Sequence, residues 1–204
     1  MKIIEQPGAP NPRRVKLFVA EKGLEIPFET LELNKAEHLS EEFTKLNPLQ
    51  RVPVLVLDDG TAISESVAIC RYLEDLNPEP NLFGISPLER ATVEMWNRRM
   101  ELGLLFHIAQ CFRHTHPAMA AMEKPQIPEW AEANKPRVMQ YLGVLDDALG
   151  KQVYVAGDRY TIADITALVA IDFMKPARLQ VSDAHANVKR WYDEVAQRPS
   201  SKLR

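Results

Sequence analysis

The sequence predicts an α/β N-terminal part followed by an all-helical part, and three observations lead to this fold class. The first third of the chain carries strand and helix signals in the order βαβαββα. The stretch Asn77-Pro78-Glu79-Pro80-Asn81 has the composition of an interdomain linker. The periodic apolar segments after it have helical spacing. We therefore predict a domain over 1–76, a linker over 77–87 and a helical domain over 88–204.

The N-terminal elements follow from local signals taken in order. Lys2–Glu5 is a short apolar-centred run that predicts a strand. Asn11 before Pro12 suits the N-cap of a helix, which Gly23 ends. The later signals predict a strand over 27–33, a helix over 41–46, a hairpin of 52–57 with 61–63, and a helix marked by Ile69, Tyr72, Leu73 and Leu76.

The helical part contains one segment that is apolar on almost every side. This segment, 162–174, predicts a helix in the middle of a bundle. Thr161 and Asp164 form a pair typical of a capping box at its start, and we expect them to be structural. Cys70 and Cys111 lie on helical patterns and are expected to be small core residues.

Composition and charge exclude several classes of function. Lys and Arg number 25 against 28 Asp and Glu, so the net charge of −3 gives no field that recruits nucleic acid or an anionic membrane. Two cysteines far apart indicate neither a disulfide scaffold nor a zinc cluster. With no apolar leader or membrane-length run, we expect a cytoplasmic location. A metal site is the alternative interpretation of His107, His114 and His116, and we predict no metal there.

A proline before the third strand of a βαβ, hairpin, α domain is the thioredoxin-like arrangement. Pro53 holds this position, and its peptide bond can be cis. Helix N-termini at the ligand edge of such a domain suit a carboxylate or a thiolate, and a strand before a proline can pair with an extended peptide. Three segments converge on that edge: Pro10-Asn11-Pro12, Gln50-Arg51-Val52-Pro53 and Ser64-Glu65-Ser66.

At these residues the sequence resembles the soluble glutathione transferases. The matching motifs stand in the family's order across nearly the whole chain. Together they are specific for the family, although any one of them alone would be a weak indication. The motifs are Asn47-Pro48, Val52-Pro53-Val54-Leu55, Ser64-Glu65-Ser66-Val67-Ala68-Ile69 and Tyr160-Thr161-Ile162-Ala163-Asp164.

The resemblance implies glutathione as co-substrate and assigns residues to its parts. It implies that the Val52-Pro53 backbone pairs with the cysteinyl part, and that Glu65 and Ser66 hold the γ-glutamyl end. It places His38 and Arg51 near the glycyl carboxylate. It also implies a cytoplasmic homodimer with the active site beside the subunit interface, and a role of the detoxification type.

The resemblance further implies a pocket for the second substrate between the loop after the first strand and the first helix of the bundle. The residues expected there are Ala9 and Pro10 in the loop, and Leu104 and His107 on the helix. Met100, Leu104, Leu105 and Phe106 are equally typical of a bundle core.

The sequence departs from the family at the residue that activates the thiol. Many members use a Tyr, Ser or Cys at the start of the first helix, but none of these lies between Met1 and Val15, and Ala9 holds the Ser-type position. The pattern is closest to the bacterial Nu-class, which has Thr-Pro-Asn and typically reduces disulfides. Asn11 matches that Asn, and we expect it to bind glutathione and support the thiolate.

Several alternatives stay open at this point. Asn11 can cap the first helix only, or cap it and activate the thiol. The same thiolate serves conjugation, disulfide reduction, peroxide reduction, isomerisation or dehalogenation. The missing hydroxyl at Ala9 also fits a non-catalytic regulator or ligand carrier of the same fold, although a pure scaffold has no need for His38, Arg51, Glu65 and Ser66.

Overall fold

The chain folds into two compact units. The computed structural model describes residues 1–203 of the chain. The N-terminal unit comprises Met1–Asn81 and the C-terminal segment from Pro199, and the helical unit comprises Leu82–Arg198. None of the helices in the described part of the chain combines the length and apolar character needed to cross a lipid bilayer.

The N-terminal unit is a four-stranded mixed sheet with three helices, which confirms the predicted βαβαββα order. The sheet order is β2-β1-β3-β4, with β2 parallel to β1 and with antiparallel pairs β1–β3 and β3–β4. The elements are β1 Lys2–Glu5, α1 Pro10–Glu21, β2 Phe28–Thr30, α2 Glu41–Leu46, β3 Val54–Val56, β4 Ala62–Ser64 and α3 Ser66–Leu76. The predicted bounds of β1 and α2 are met, whereas β2 and β3 are shorter than predicted.

Both faces of the sheet are buried. Ile3 pairs with Leu55 and Ile4 with Val54, and because side chains alternate along a strand, the two pairs lie on opposite faces. Ile4 and Val54 pack in one cluster with Leu31 and Phe43. Ile3 and Leu55 have no exposed surface either. A sheet packed on both faces is a rigid support for the loops and helix ends at its edge.

The start of α1 corrects the expected cap. The N-cap is Ala9, whose carbonyl accepts from the Arg13 amide (3.1 Å), and Asn11 is the second helical residue. The expectation that Asn11 caps this helix is therefore wrong. Pro10 occupies the first helical position, where its fixed φ is favourable and its missing N–H loses no hydrogen bond, so the helix begins before Asn11.

The helical unit confirms the all-helical prediction for the second half of the fold. Its helices are α4 Pro87–Arg98, α5 Phe106–Arg113, α6 Pro128–Leu149, α7 Ile162–Met174 and α8 Ala186–Val195, with a π-helical segment, Arg99–Leu105, joining α4 to α5. The bounds of α7 are those predicted, and the helix is buried along almost its whole length. Cys70 in α3 and Cys111 in α5 are buried, as expected.

The start of α7 is held by a buried carboxylate. Thr161 and Asp164 form the expected capping box. The Asp164 carboxylate accepts from the amides of Thr161 and Val155 (2.9 Å each) and from the Trp191 indole (2.9 Å). Burial raises the pKa of Asp164 to about 6, against the opposing effect of these donors. The pair is structural, and it links α7 to α8 and to the loop before α7.

Candidate functional site

The sheet register brings the predicted glutathione-binding segments of the N-terminal unit to one edge. Val54 lies opposite Ser64 in β4 and opposite Ile4 in β1. Both ladders end at these pairs, where β4 leads into α3 and β1 leads into the loop before α1. Val52, two residues before Val54, thus lies at the same edge of the sheet as the start of α3 and the loop that leads into α1.

Val52 precedes β3 with its backbone unpaired. The Val52–Pro53 peptide bond is cis, as the sequence allows. The N–H and C=O of Val52 make no hydrogen bond to any described residue, and its side chain is half-buried. An unpaired strand segment of this kind can bind an extended peptide through main-chain hydrogen bonds.

A buried asparagine holds the turn before Val52. Asn47 donates from Nδ2 to the carbonyl of Arg51 (2.8 Å), and its Oδ1 accepts from the amide of Leu49 (3.1 Å). Gln50 within this turn has a positive φ of 54°. Sequence reasoning did not assign Asn47 a role in the site, although it belongs to the Asn47-Pro48 motif. Its side chain positions Arg51 and Val52.

Glu65 begins α3 in an unfavourable backbone conformation. It is the N-cap residue with φ 68° and ψ 111°, and its side chain is exposed and makes no capping hydrogen bond. The first intrahelical bond runs from the Ile69 amide to the Glu65 carbonyl (2.9 Å). The amides that precede Ile69 in this first turn thus have no partner within the helix. Strained residues of this kind concentrate at ligand-binding sites.

Ser66 is tied to α1 by an arginine that sequence reasoning missed. The Ser66 hydroxyl is buried and accepts from Nη1 of Arg14 (2.8 Å). Arg14 has no exposed surface and lies one turn into α1. The hydroxyl keeps its own hydrogen to donate. The signal for Arg14 in the sequence was the Arg13-Arg14-Val15 run, which alone does not indicate burial.

His38 and Arg51 lie close together. His38 is buried in a short 3-10 turn before α2, whereas Arg51 is exposed. Burial lowers the pKa of His38, and the nearby Arg51 guanidinium lowers it further. The imidazole is therefore neutral at pH 7, and its buried Nδ1 has no hydrogen-bond partner among the described residues. Arg51 supplies the positive charge at this corner of the site.

The start of α1 offers one free polar side chain. Ala9 and Pro10 are half-buried and have no polar side-chain atoms. Asn11 is exposed, and its amide makes no hydrogen bond to a described residue. Its side chain is therefore available to a ligand at the positive end of the helix.

The two remaining predicted residues belong to the helical unit. Leu104, in the π-helical segment, has no exposed surface. His107 in α5 is half-buried, and its Nδ1 lies 2.6 Å from Oδ1 of Asn134. Asn134 donates from Nδ2 to the carbonyl of Trp130 (2.7 Å), so its Oδ1 is the acceptor and His107 carries the hydrogen on Nδ1.

Comparisons with known proteins identify the family. Residues 9–76 match the model of the glutathione S-transferase N-terminal domain, and residues 97–199 match that of the C-terminal domain. Glutathione S-transferase 2 of Saccharomyces cerevisiae is 37% identical over 205 aligned positions, which cover 99% of this chain and 88% of the yeast protein. The chain therefore belongs to the glutathione S-transferases, enzymes that use glutathione as co-substrate.

Solved structures agree with this assignment along the whole chain. The crystal structure of Gtt2 from Saccharomyces cerevisiae has a TM-score of 0.94 and 36% identity, and the match covers 99% of each chain. A glutathione S-transferase domain-containing protein of Marinobacter aquaeolei gives the same TM-score and identity over 98% of this chain and 99% of its own. The thioredoxin-like and helical parts thus follow each other as in these enzymes.

Proposed function

We propose that this transferase uses glutathione bound at the Val52 edge of the N-terminal unit mainly to reduce disulfides. The observation that carries the proposal is the free Asn11 amide at the start of α1, on a helix end without any hydroxyl or thiol. A site of this composition can stabilise a thiolate by hydrogen bonding and by the helix dipole alone.

The glutathione contacts follow from the polar groups at the edge. The unpaired N–H and C=O of Val52 suit the cysteinyl backbone. The exposed Glu65 carboxylate suits the γ-glutamyl ammonium, while the Ser66 hydroxyl and the first amides of α3 suit its carboxylate. Arg51, beside the neutral His38, suits the glycyl carboxylate. Each charged group of glutathione thus has an oppositely charged or hydrogen-bonding partner.

The energies available at α1 are sufficient to ionise the thiol. A free cysteine thiol has a pKa of about 8.5, and each unit of lowering requires roughly 1.4 kcal/mol. A hydrogen bond from Asn11 to the charged sulfur contributes roughly 1.5–3 kcal/mol, and a helix N-terminus roughly 0.3–1 kcal/mol. These two contributions together lower the thiol pKa by about one to three units, which gives a substantial thiolate fraction at neutral pH.

The reduction then proceeds by two thiol–disulfide exchanges. The glutathione thiolate attacks one sulfur of the substrate, a new S–S bond forms, and the other sulfur leaves as a thiolate that takes up a proton. A second glutathione thiolate attacks the mixed disulfide and releases glutathione disulfide and the second substrate thiol. Both protein cysteines are buried, in α3 and α5, so the exchange does not require them.

Steady-state turnover with a small panel of substrates tests this proposal. With a model disulfide, an aryl halide and an organic peroxide, we expect the disulfide to be turned over fastest. The double variant Cys70→Ala/Cys111→Ser should keep the disulfide activity, since glutathione supplies both thiols. Aryl-halide conjugation as the faster reaction, or loss of activity in a folded cysteine-free variant, would contradict the proposal.

We also propose that the chain forms a homodimer through the α4–π–α5 helix of the helical unit. This helix exposes large apolar side chains, among them Leu88 (78% exposed), Met95 and Leu102 (51%). Leu88 and Met95 are seven residues apart and share a helix face. Exposed apolar surface of this kind is typical of a protein interface.

Light scattering at micromolar concentration tests the dimer. The expected mass is twice the 23.2 kDa of one chain. Leu102→Glu should shift the mass towards one chain because it places a charge in the interface, whereas Val153→Glu, an exposed apolar position outside this helix, should not. A wild-type mass of 23.2 kDa would refute the dimer.

A further inference from the structure

The sheet of the N-terminal unit has an unpaired edge at β2. This strand is the outer one of the order β2-β1-β3-β4. The Leu31 amide donates to the Glu5 carbonyl (2.7 Å), so Leu31 faces β1. Because backbone groups alternate in direction along a strand, those of Phe28 and Thr30 point away from β1. Their two N–H and two C=O groups make no hydrogen bond to a described residue.

A small groove lies beside this edge, between the sheet and α2. Its volume is about 180 Å³, below the range of about 300–1,000 Å³ that small-molecule sites occupy. Its apolar lining is formed by Ile4, Leu31, Phe43 and Leu46, of which the first three are buried. A groove of this size and position suits a side chain of an added strand better than a whole small molecule.

The other side chains of the groove give it negative charge. Of the described residues that line it, three are glutamates and one is a lysine. Glu29 in β2 pairs with Lys2 (2.6 Å), and Glu37 accepts from the amide of Glu32 (2.7 Å). Glu42, in the first turn of α2, is exposed and makes no ion pair or side-chain hydrogen bond with a described residue. The groove therefore attracts a cation, and Glu42 is available to pair with it.

Charge also decides between a second copy of the chain and a different partner at this edge. Antiparallel pairing of two β2 strands about their central residue would place Glu29 opposite the Glu29 of the other copy. Like charges directly opposite each other destabilise a strand pair. A basic strand has complementary charge instead. The long side chains of lysine and arginine can also lay their methylene groups on the apolar lining while the charged ends reach the glutamates.

From the unpaired edge and its acidic groove, we infer that β2 is a docking site for an extended, basic segment of another protein. The segment adds to the four-stranded sheet through the outward backbone groups of Phe28 and Thr30. Every second side chain of the segment is lysine or arginine and lies on the groove side, where Glu42 pairs with one of them. None of the proposed glutathione contacts lines the groove, so docking does not require glutathione.

Amide NMR with a synthetic peptide tests this site at defined positions. The probe is the acetylated and amidated peptide Lys-Val-Arg-Val-Lys-Val-Arg, whose basic side chains share one face of a strand. The amide resonances of Phe28 and Thr30 should shift, saturate and become protected from hydrogen exchange. The comparison peptide, Lys-Lys-Arg-Arg-Val-Val-Val, has the same composition and charge without the alternation, and it should bind more weakly.

Substitutions on the protein separate the groove charge from general attraction. Glu42→Gln should weaken binding of the alternating peptide by about two- to fivefold, the usual effect of one partly exposed ion pair. Glu41→Gln is the matched control, since Glu41 is also exposed in the first turn of α2 but lies outside the groove and pairs with Lys45 (2.8 Å). It should leave the affinity unchanged.

A backbone variant tests the strand pairing itself. Thr30→Pro removes an N–H that points away from β1, so it keeps the ladder to β1 and should weaken the peptide by about five- to tenfold. Glu42→Gln, a surface substitution, keeps the test decisive whatever the stability of Thr30→Pro. Unmoved Phe28 and Thr30 amides, equal affinity for the two peptides, or equal losses in Glu42→Gln and Glu41→Gln would overturn the site.

Discussion

Asn11 is the second residue of α1, and its exposed side chain makes no hydrogen bond to a described residue. A substitution at this position can therefore change the chemistry of the site without removing a helix cap. Asn11→Ala removes no cap, so the free energy of unfolding should change by less than about 0.5 kcal/mol. The pKa of bound glutathione should rise and turnover at neutral pH should fall, while glutathione affinity is nearly retained. Thiolate absorbance titration, a thermal melt and kinetics on one variant measure all three quantities.

The charge variant at the same position sharpens this prediction. Asn11→Asp keeps the side-chain shape but replaces the amide donor with a negative charge, so it should raise the thiol pKa further than Asn11→Ala. If neither variant changes the thiol pKa or the rate, activation comes from the backbone amides and the dipole of α1, and Asn11 has no catalytic role.

Asp164 gives the fold a defined pH dependence. Burial raises its pKa from 3.8 to about 6, so between these values the folded state binds more protons than the unfolded state. The stability contributed by Asp164 therefore falls as the pH rises through this window and is constant above it. In Asp164→Asn this titration is absent. As the pH rises from 3.8 to about 6, the amount by which the wild type is more stable than the variant should therefore shrink by up to about 3 kcal/mol.

Urea denaturation of both proteins at several pH values between 4 and 7 measures this advantage. An advantage that grows with pH would mean that the hydrogen-bond donors around the carboxylate, rather than burial, set the pKa of Asp164.

Local motifs explain which site residues could be predicted from the sequence. Val52, Glu65 and Ser66 stand in short motifs whose residue order carries the information. Arg14 and Asn47 were missed because their roles depend on burial and on partners far along the chain or across a turn. Pro10 and Pro12 both suit the first position of a helix. The sequence predicts Pro12 at that position and Asn11 as the cap before it, whereas the helix begins at Pro10.

At the scale of elements, the π-helical segment accommodates a close contact between helices. A Cβ added to Gly103 would lie 2.0 Å from the ring of Tyr141 in α6. Gly103→Ala should therefore lower the free energy of unfolding by about 1–3 kcal/mol, as overpacking does. Urea unfolding measures the loss, and replacing the ring with a smaller side chain in Gly103→Ala/Tyr141→Leu should recover part of it.

A second glycine serves as the matched control. Gly143 lies in α6, and a Cβ added to it would have no atom within 4 Å, so Gly143→Ala should be neutral or stabilising by up to about 1 kcal/mol. Equal effects of the two substitutions would show that the Tyr141 contact does not restrict Gly103.

The first and last residues of a strand or helix could be predicted where local sequence signals set them. The bounds of β1, α2 and α7 follow from apolar runs and from helix-capping residues that the sequence shows directly. The predicted strand 52–57 begins later in the structure, at Val54, because Pro53 has no N–H to donate to a ladder. The π-helical segment carried no local signal, since it arises where helices must approach closely.

At the scale of the whole molecule, the chain end returns to the N-terminal unit. Arg13 in α1 is buried and donates to the carbonyls of Ser201 (3.0 Å) and Leu203 (3.0 Å). This contact joins residues almost two hundred positions apart, and the sequence carried no sign of it. The order of the two parts of the fold, by contrast, followed from periodicity and from the linker composition alone.

We propose that glutathione binds at the Val52 edge with Glu65 as the partner of its ammonium group. Isothermal titration calorimetry of glutathione with Glu65→Gln measures this contact, because the substitution removes the charge and keeps the shape. Glu25→Gln, at an exposed acid after α1, is the control. We predict a loss of about 2–5 kcal/mol in binding free energy for Glu65→Gln if bound glutathione takes the exposed carboxylate out of water, and none for Glu25→Gln. Wild-type affinity in Glu65→Gln would contradict the proposed site.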